Sequence, residues 1–254
     1  MYRFLQRGFW LVVALGCARE AAAQITETPV TVQPGHFLLE VDALTFSIDR
    51  EPGLRYTAFG AATTFLTTGV TAKLDVQLGA DLYVNQKFDA AGLVERQSGV
   101  GDVYVRAKYR FYESNDTYTA VAVMPYVKIP TSSGRFGNDA VEGGVVVPFQ
   151  TELVGGFNFG AMAGLDFLRN AADNGYDLHV YGSASAHREL VHGLGLYGEA
   201  VVDKSSGGTP WTGTIGAGVT LMVSKFASWD FAIYRGLSRD ATDWTHVLRF
   251  NYGF

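Results

Sequence analysis

Residues 70–84 alternate apolar and polar side chains almost without interruption, in the run VTAKLDVQLGADLYV. The even positions carry Val, Ala and Leu, and most of the odd positions carry charged or polar residues. A period of two predicts a β-strand, because successive side chains of a strand leave opposite faces. Globular strands typically have about 5–6 residues, whereas a tilted strand that crosses a membrane needs about 9–11 residues plus overhang.

The same period recurs from His36 to the C-terminus and predicts about twelve strands, with no segment of helical period. The predicted strands are 36–48, 55–66, 70–84, 100–112, 117–129, 142–150, 156–168, 176–187, 194–203, 211–224, 228–237 and 243–254. The 30 glycines and the 13% of aromatic residues suit strands and tight turns better than helices. Beyond residue 23 no apolar run is long enough for a transmembrane helix.

The connections between these strands alternate in length. Along the chain, mostly short connections alternate with mostly longer ones, such as 85–99 and 130–141. Sorting of short turns to one end and longer loops to the other is typical of outer-membrane β-barrels. We expect 85–99 and 130–141 to face outward. The loop 130–141 either folds inward as a gate or is an ordinary surface loop.

The sequence therefore predicts an all-β fold, a closed antiparallel transmembrane β-barrel of about 12 strands over residues 36–254. Closure lets every backbone group find a partner inside the bilayer. The Val and Leu face would contact lipid, and the charged face would line the lumen. A soluble β-sandwich is the alternative and would invert the two faces. Aromatic residues near strand ends fit interfacial girdles: Tyr56, Trp211, Trp229, Trp244 and Tyr252.

The N-terminus has the pattern of a signal peptide over residues 1–23. Arg3 and Arg7 precede a short apolar run, and alanines at 21–23 form a small-residue cleavage site. A lipoprotein signal around Cys17 is a weaker alternative. Cleavage after Ala23 would remove the single cysteine and leave no disulfide and no thiolate metal site. Residues 24–35 contain two prolines and are expected to form an irregular periplasmic N-terminal segment.

The last strand ends with Phe250, Tyr252 and Phe254 on one face. This arrangement resembles the C-terminal signature of outer-membrane barrels, which the barrel-insertion machinery reads. The signature predicts a location in the cell outer membrane of a Gram-negative bacterium, with outer-membrane lipid and the insertion machinery as partners. A chain that ends in Phe for no such reason is the alternative.

Three short motifs carry a family resemblance. They are SGVGDV at 98–103 leading into YRF at 109–111, and PYVKIPT at 125–131 followed by Gly134. In these motifs the chain resembles the outer-membrane proteins associated with a meta-pathway of phenol degradation, over roughly residues 36–254. The resemblance implies a transporter-like barrel that passes small aromatic or other hydrophobic compounds. It implies no catalytic residues.

The polar face of the third and fourth predicted strands is the candidate for solute selection in the lumen. Its residues are Lys73, Asp75, Gln77, Asp81, Asp102, Tyr104, Arg106, Lys108 and Arg110. Opposite charges across a lumen create a transverse field and a narrow polar constriction. The alternative is that these groups only neutralise one another, since buried charges need partners.

An enzyme that hydrolyses lipids would need an activated Ser near the lipid face. The four candidates lie at odd-numbered positions of one predicted strand, on the face that points to the lumen instead: His179, Ser183, Ser185 and His187. Two strand residues eight positions apart are separated by about 26 Å, so the two histidines do not suit one metal. No catalytic site, metal or cofactor is predicted. The net charge of −5, without a basic block, argues against nucleic acid.

The function that these features favour is a passive, porin-like channel for small solutes, with aromatic or hydrophobic compounds as candidates. The partner would then be a small-molecule solute moving down its gradient. Two alternatives stay open at this point: a structural or adhesive barrel without transport, and, less favoured, a barrel enzyme.

Overall fold

A computed structural model of the chain describes residues 24–90, 92–132, 139–170, 172, 174–208 and 210–254. Thirteen strands follow one another in these ranges. They are β1 (Phe37–Glu51), β2 (Leu54–Thr71), β3 (Leu74–Ala90), β4 (Leu93–Gly99), β5 (Val103–Ser114), β6 (Thr119–Ile129), β7 (Glu142–Leu153), β8 (Phe157–Arg169), β9 (Tyr176–Val191), β10 (Leu194–Ser205), β11 (Thr212–Ser224), β12 (Ala227–Gly236) and β13 (Trp244–Gly253). In these ranges no helix is long and apolar enough to cross a membrane.

The strands form one closed antiparallel sheet. Neighbours in sequence pair with each other, except that β4 and β5 both pair with β3. β1 pairs with both β2 and β13, which closes the ring. The last residue takes part in this closure, because the Phe37 amide donates to the Phe254 carbonyl at 2.8 Å and the Phe254 amide donates back at 3.0 Å. The predicted barrel is confirmed.

Strands β4 and β5 are two halves of one barrel strand. Val84 on β3 pairs with Gly99 on β4, and Ala80 on β3 pairs with Val103 on β5, so the same register runs through both. The break between them lies at residues 100–102. Counted this way the barrel has twelve strands, as predicted. The predicted loop 85–99 is wrong, because β3 continues to Ala90 and turns directly into β4.

The two ends of the barrel differ in their connections. One end has the short turns 72–73, 115–118, 154–156, 192–193 and 225–226, and the other has the longer loops 130–141, 170–175, 206–211 and 237–243. Outer-membrane barrels have short periplasmic turns and longer extracellular loops. The first end is therefore periplasmic and the second extracellular, as the alternating loop lengths predicted. The tight turn at 52–53 and the equally short connection between Ala90 and Leu93 are exceptions at the extracellular end.

Partway along β2 and β3 the inward-pointing residues change from one alternate set to the other. On β2 the buried positions are even up to Gly60 and odd from Thr63, with Ala62 at a positive φ of 58° between them. On β3, Leu82 and Tyr83 are consecutive and both exposed. This irregularity explains why Val84, predicted to face lipid, is buried on the inner face instead.

The apolar face of the wall points outward. Val76, Leu78 and Leu82 on β3 are 40%, 55% and 52% exposed, whereas Asp75 and Asp81 on the same strand are 1% and 6% exposed. A soluble core would require the opposite distribution, since apolar residues gain by leaving water. The wall therefore contacts lipid on its apolar side and encloses charge.

Candidate functional site

The lumen of the barrel holds a dense set of charged side chains. Buried acidic residues in the described ranges are Glu27, Glu40, Asp42, Asp75, Asp81, Asp102, Glu142, Asp166, Glu199 and Asp230, and buried Lys and Arg residues are Arg106, Lys108, Lys128 and Arg249. Ion pairs connect the two groups. Lys128 lies 3.1 Å from Asp102 and 2.8 Å from Glu142, and Arg249 Nε donates to Asp42 Oδ1 at 2.5 Å. Such pairing is what buried charges need to be tolerated.

Most of the residues predicted to line the lumen lie there. Asp75, Asp81, Asp102, Tyr104, Arg106 and Lys108 are buried on the inner face, and Gln77 is partly buried beside them. Lys73 instead lies in the turn 72–73 and is exposed. Arg110 stands at the periplasmic rim, where its guanidinium donates to the Ala72 carbonyl at 2.8 Å. The contribution of these residues to solute selection stays a prediction.

The N-terminal segment, residues 24–35, enters the barrel from the periplasmic end. Its residues 24–29 are buried. Glu199, on the inner face of β10, accepts the amide of Ile25 at 2.9 Å and the amide of Thr26 at 2.5 Å, and also binds the Thr26 hydroxyl. The Thr26 hydroxyl lies 2.6 Å from Ser183 Oγ on β9. The sequence predicted a periplasmic location for this segment, whereas the structure places residues 24–29 within the lumen.

The opposite wall holds the rest of the segment. The Val32 amide donates to Asp75 at 3.0 Å, and Lys108 donates to the Val30 carbonyl at 3.3 Å. Glu27 forms a buried ion pair with Arg106, at 3.2 Å. Near the periplasmic rim, Pro34 forms a parallel bridge with Gly69. The segment is therefore bound by polar groups of β3, β5, β9 and β10, and it crosses the lumen from one wall to the other.

Aromatic rings also line the lumen, and four of them lie over a glycine of the neighbouring strand. Phe65 faces Gly79, Tyr181 faces Gly164, Tyr197 faces Gly218 and Tyr234 faces Gly216 across the sheet. A Cβ built at any of these glycines would overlap the ring. The absence of a side chain lets the ring lie flat against the wall, and a ring over a sheet glycine is a recognised stabilising arrangement.

The Ser and His residues considered for catalysis face the lumen, as their positions in the alternating pattern predicted. Ser183 and Ser185 are buried, and the Ser183 hydroxyl is bonded to Thr26 of the N-terminal segment. His179 lies between Asp166, at 3.5 Å, and Asp203, at 3.2 Å. Within the described ranges no group of three or more His, Cys, Asp or Glu residues has the geometry of a metal site.

The loop 130–141 is tied to the lumen wall at its start. The amides of Thr131 and Ser132 donate to Asp102 Oδ1 at 3.0 and 2.9 Å. Residues 133–138, which carry the predicted gate, lie outside the described residues, as does the predicted signal peptide at 1–23.

The C-terminal aromatic residues lie on the outer face, as predicted. The ring centroids of Phe250 and Tyr252 are 6.5 Å apart, and those of Tyr252 and Phe254 are 5.6 Å apart. Trp211, Trp229 and Trp244 are also exposed there, in agreement with the predicted girdles. Tyr56 is not part of a girdle, because it is buried on the inner face against Phe88. A role of the C-terminal residues in barrel insertion remains a prediction.

A comparison with known families decides the relationship that the motifs at 98–103 and 125–131 suggested. The family model described as "Putative MetA-pathway of phenol degradation" matches residues 21–254. The chain belongs to this family. No characterised protein sequence matches the chain significantly.

Solved structures agree with this assignment in fold. The COG4313 outer membrane channel from Pseudomonas putida F1 has a TM-score of 0.70 and 12% identity, with 89% of this chain and 97% of the channel covered. The NanC porin has a TM-score of 0.56 and 7% identity, with 84% and 98% covered. The translocator domain of the autotransporter NalP from Neisseria meningitidis has a TM-score of 0.52 and 11% identity, with 88% and 89% covered. This member of the phenol-degradation family is an outer-membrane β-barrel.

Proposed function

We propose that the protein is a passive channel for small molecules, closed at rest by its own N-terminal segment. The single observation that carries the proposal is the binding of residues 24–32 by inward-facing polar groups on opposite walls of the lumen. A solute that crosses the lumen must pass this segment, so transport requires the segment to move. No energy-coupling element is needed for such a channel.

The solutes that we propose are small and include aromatic compounds. The family description refers to phenol degradation. Tyr197 and Tyr234 are buried in one cluster with Ile25 of the segment. Once the segment leaves the lumen, their rings would offer faces on which an aromatic solute can stack, beside hydroxyl and carboxylate groups that bind a polar substituent. A small ring with one polar group would use both kinds of contact.

Liposome swelling and planar-bilayer conductance test the proposal. The informative variant lacks residues 25–33 and keeps the remainder of the chain. We expect low arabinose flux and low ionic conductance for the wild type and a clear increase of both for the deletion, because the deletion removes the chain that fills the lumen. The variant Lys73→Ala, changed only in an exposed periplasmic turn, is the control and should behave as the wild type.

A structural or adhesive barrel would have the same filled lumen but would conduct in neither form. Absence of solute flux in a folded deletion variant would therefore contradict the channel. Folding of each variant is established beforehand by its heat-modifiable mobility in detergent. Equal flux for the wild type and the deletion would show that the segment does not close the lumen.

A further inference from the structure

The outer face of the barrel carries a basic patch at the extracellular tips of β1–β4. The patch consists of Arg50, Arg55, Lys87 and Arg96, one residue from each of four adjacent strands. The three arginines are exposed and Lys87 is partly exposed. Because all four belong to the outer face, they are separate from the lumen and take no part in the proposed channel.

Two pairs in this patch place like charges directly opposite each other. Arg50 pairs with Arg55 between β1 and β2, and Lys87 pairs with Arg96 between β3 and β4. Like charges in directly opposed positions destabilise a sheet. Two acidic side chains accompany the patch. Asp89 pairs with Arg55 and lies 3.9 Å from Lys87, and Glu51 lines the same surface cleft as Arg50, Arg55 and Asp89. Two carboxylates do not balance four cations, so the patch keeps a net positive charge and is complementary to an external anion.

The position of the patch relative to the membrane interface indicates which kind of molecule carries this anion. Phe59 and Tyr83 lie below it on the same face, with their ring centroids 6.3 Å apart. Such aromatic pairs mark the level of the membrane interface. Lys87 is four residues beyond Tyr83, which puts it about 10 Å further out along a tilted strand. Long Lys and Arg side chains bridge that distance toward the headgroups.

Basic residues occur at the same level on the rest of the circumference. Three further extracellular hairpins each place a Lys or Arg side chain over an aromatic ring on the outer face. The pairs are Arg169 with Tyr176 at 5.6 Å, Lys204 with Trp211 at 5.5 Å and Arg235 with Trp244 at 5.1 Å. The basic patch is thus the densest part of a belt at the outer-leaflet interface.

We propose that the basic patch binds the phosphate groups of a lipid headgroup in the outer leaflet. Arginine recognises phosphate through paired N–H donors, and two arginines with a lysine in adjacent strands suit a headgroup that carries more than one phosphate. The bound phosphates would neutralise the two like-charge pairs and anchor the β1–β4 tips at the interface.

The test measures binding of diphosphorylated lipid A to the full barrel in detergent, by native mass spectrometry and by the shift in unfolding temperature. The variant Arg50→Gln/Arg55→Gln/Lys87→Gln/Arg96→Gln should lose at least about tenfold in affinity. The variant Arg188→Gln/Lys225→Gln is the matched control, because both bases lie over aromatic rings at the periplasmic end, and its affinity should be unchanged.

Three outcomes would overturn the proposal. Equal affinity of the wild type and a folded fourfold variant would show that the patch does not bind the lipid. Equal binding of dephosphorylated lipid A would show that the phosphates are not recognised. Binding of inorganic phosphate as tight as that of the lipid would show an anion site without lipid specificity. None of these results depends on whether the barrel conducts solutes.

Discussion

Glu199 and Thr26 are 173 positions apart in the sequence and hydrogen bonded in the middle of the barrel, where the Thr26 amide donates to Glu199 Oε1 at 2.5 Å. Glu199 also accepts from the Ile25 amide and from the Tyr234 hydroxyl. One carboxylate on β10 therefore fixes the deep end of the N-terminal segment to the barrel wall. The state of the lumen depends on how strongly this contact holds.

Replacing Glu199 by Ala should release the segment more often. Hydrogen bonds to a charged group contribute about 1.5–3 kcal/mol each, and the segment loses three of them. A cysteine at Ile25, which is buried, reports the release through its rate of labelling by a maleimide. We expect much faster labelling in Glu199→Ala, and an unchanged rate in the control Glu152→Ala, whose side chain is exposed. Equal labelling rates in Glu199→Ala and the wild type would show that Glu199 does not hold the segment.

The ion pair between Glu27 and Arg106 should be costly to break from one side. Arg106 is 3% exposed, donates to Glu27 and Gln77 at 3.2 Å, and lies 4.2 Å from the ring centroid of Phe65. Removing one partner of a buried pair costs about 3–5 kcal/mol, because the other charge stays buried without compensation.

We therefore expect Glu27→Ala to lower the free energy of unfolding in urea and detergent, and Glu27→Gln, which keeps an acceptor for Arg106, to lower it less. Measurement of Arg106→Ala and of the double variant completes the cycle and isolates the pair. A coupling close to zero would mean that Glu27 and Arg106 do not stabilise each other.

Ring-over-glycine packing predicts a position-specific effect of one methyl group. A Cβ at Gly216 would overlap the ring of Tyr234, which is 1% exposed. Overpacking of this kind costs about 1–3 kcal/mol. The control is Gly198→Ala, since the nearest heavy atom to a Cβ there is 3.9 Å away. Gly216→Ala should unfold at a lower temperature than Gly198→Ala, and equal unfolding temperatures would contradict the packing described here.

A charge on the outer wall should destabilise the barrel in a bilayer. Leu78 is 55% exposed on the apolar face of β3. An arginine on the lipid face near the bilayer midplane costs about 2–4 kcal/mol. Leu78→Arg should lower the free energy of unfolding in lipid vesicles by about that amount, and Leu78→Ile should have little effect. If Leu78→Arg were neutral in vesicles, this face would not contact lipid.

Much of the barrel could be predicted from alternation alone. The period of two located twelve strands within a few residues, because lipid outside and charge inside impose opposite polarity on the two faces. The prediction failed where this rule is interrupted. β2 ends at Thr71 and β3 begins at Leu74, so the run 70–84 contains a turn. The alternation seemed to end at residue 84, because the inward face of β3 changes after Leu82. The rest of β3 and all of β4 were therefore assigned to the loop 85–99.

The closed lumen could not be predicted, for a different reason. The N-terminal segment has no periodic pattern, and its partners Asp75, Arg106, Ser183 and Glu199 are distributed over most of the chain. Contacts between a short irregular segment and side chains this distant leave no local signal in a single sequence. The two carboxylates, the Ser183 hydroxyl and the Arg106 guanidinium were visible as inward polar groups, but not as the binding site of residues 24–32.

The most direct test of the central claim is a cross-link between the segment and the wall. The hydroxyl oxygens of Thr26 and Ser183 are 2.6 Å apart, which suits a disulfide in the variant Thr26→Cys/Ser183→Cys. The conductance of this variant is recorded in a planar bilayer before and after addition of a reductant. A channel closed at rest by its N-terminal segment predicts that the oxidised form shows no openings and that reduction restores the infrequent openings of the wild type. Equal opening frequencies in the oxidised and reduced forms would contradict it.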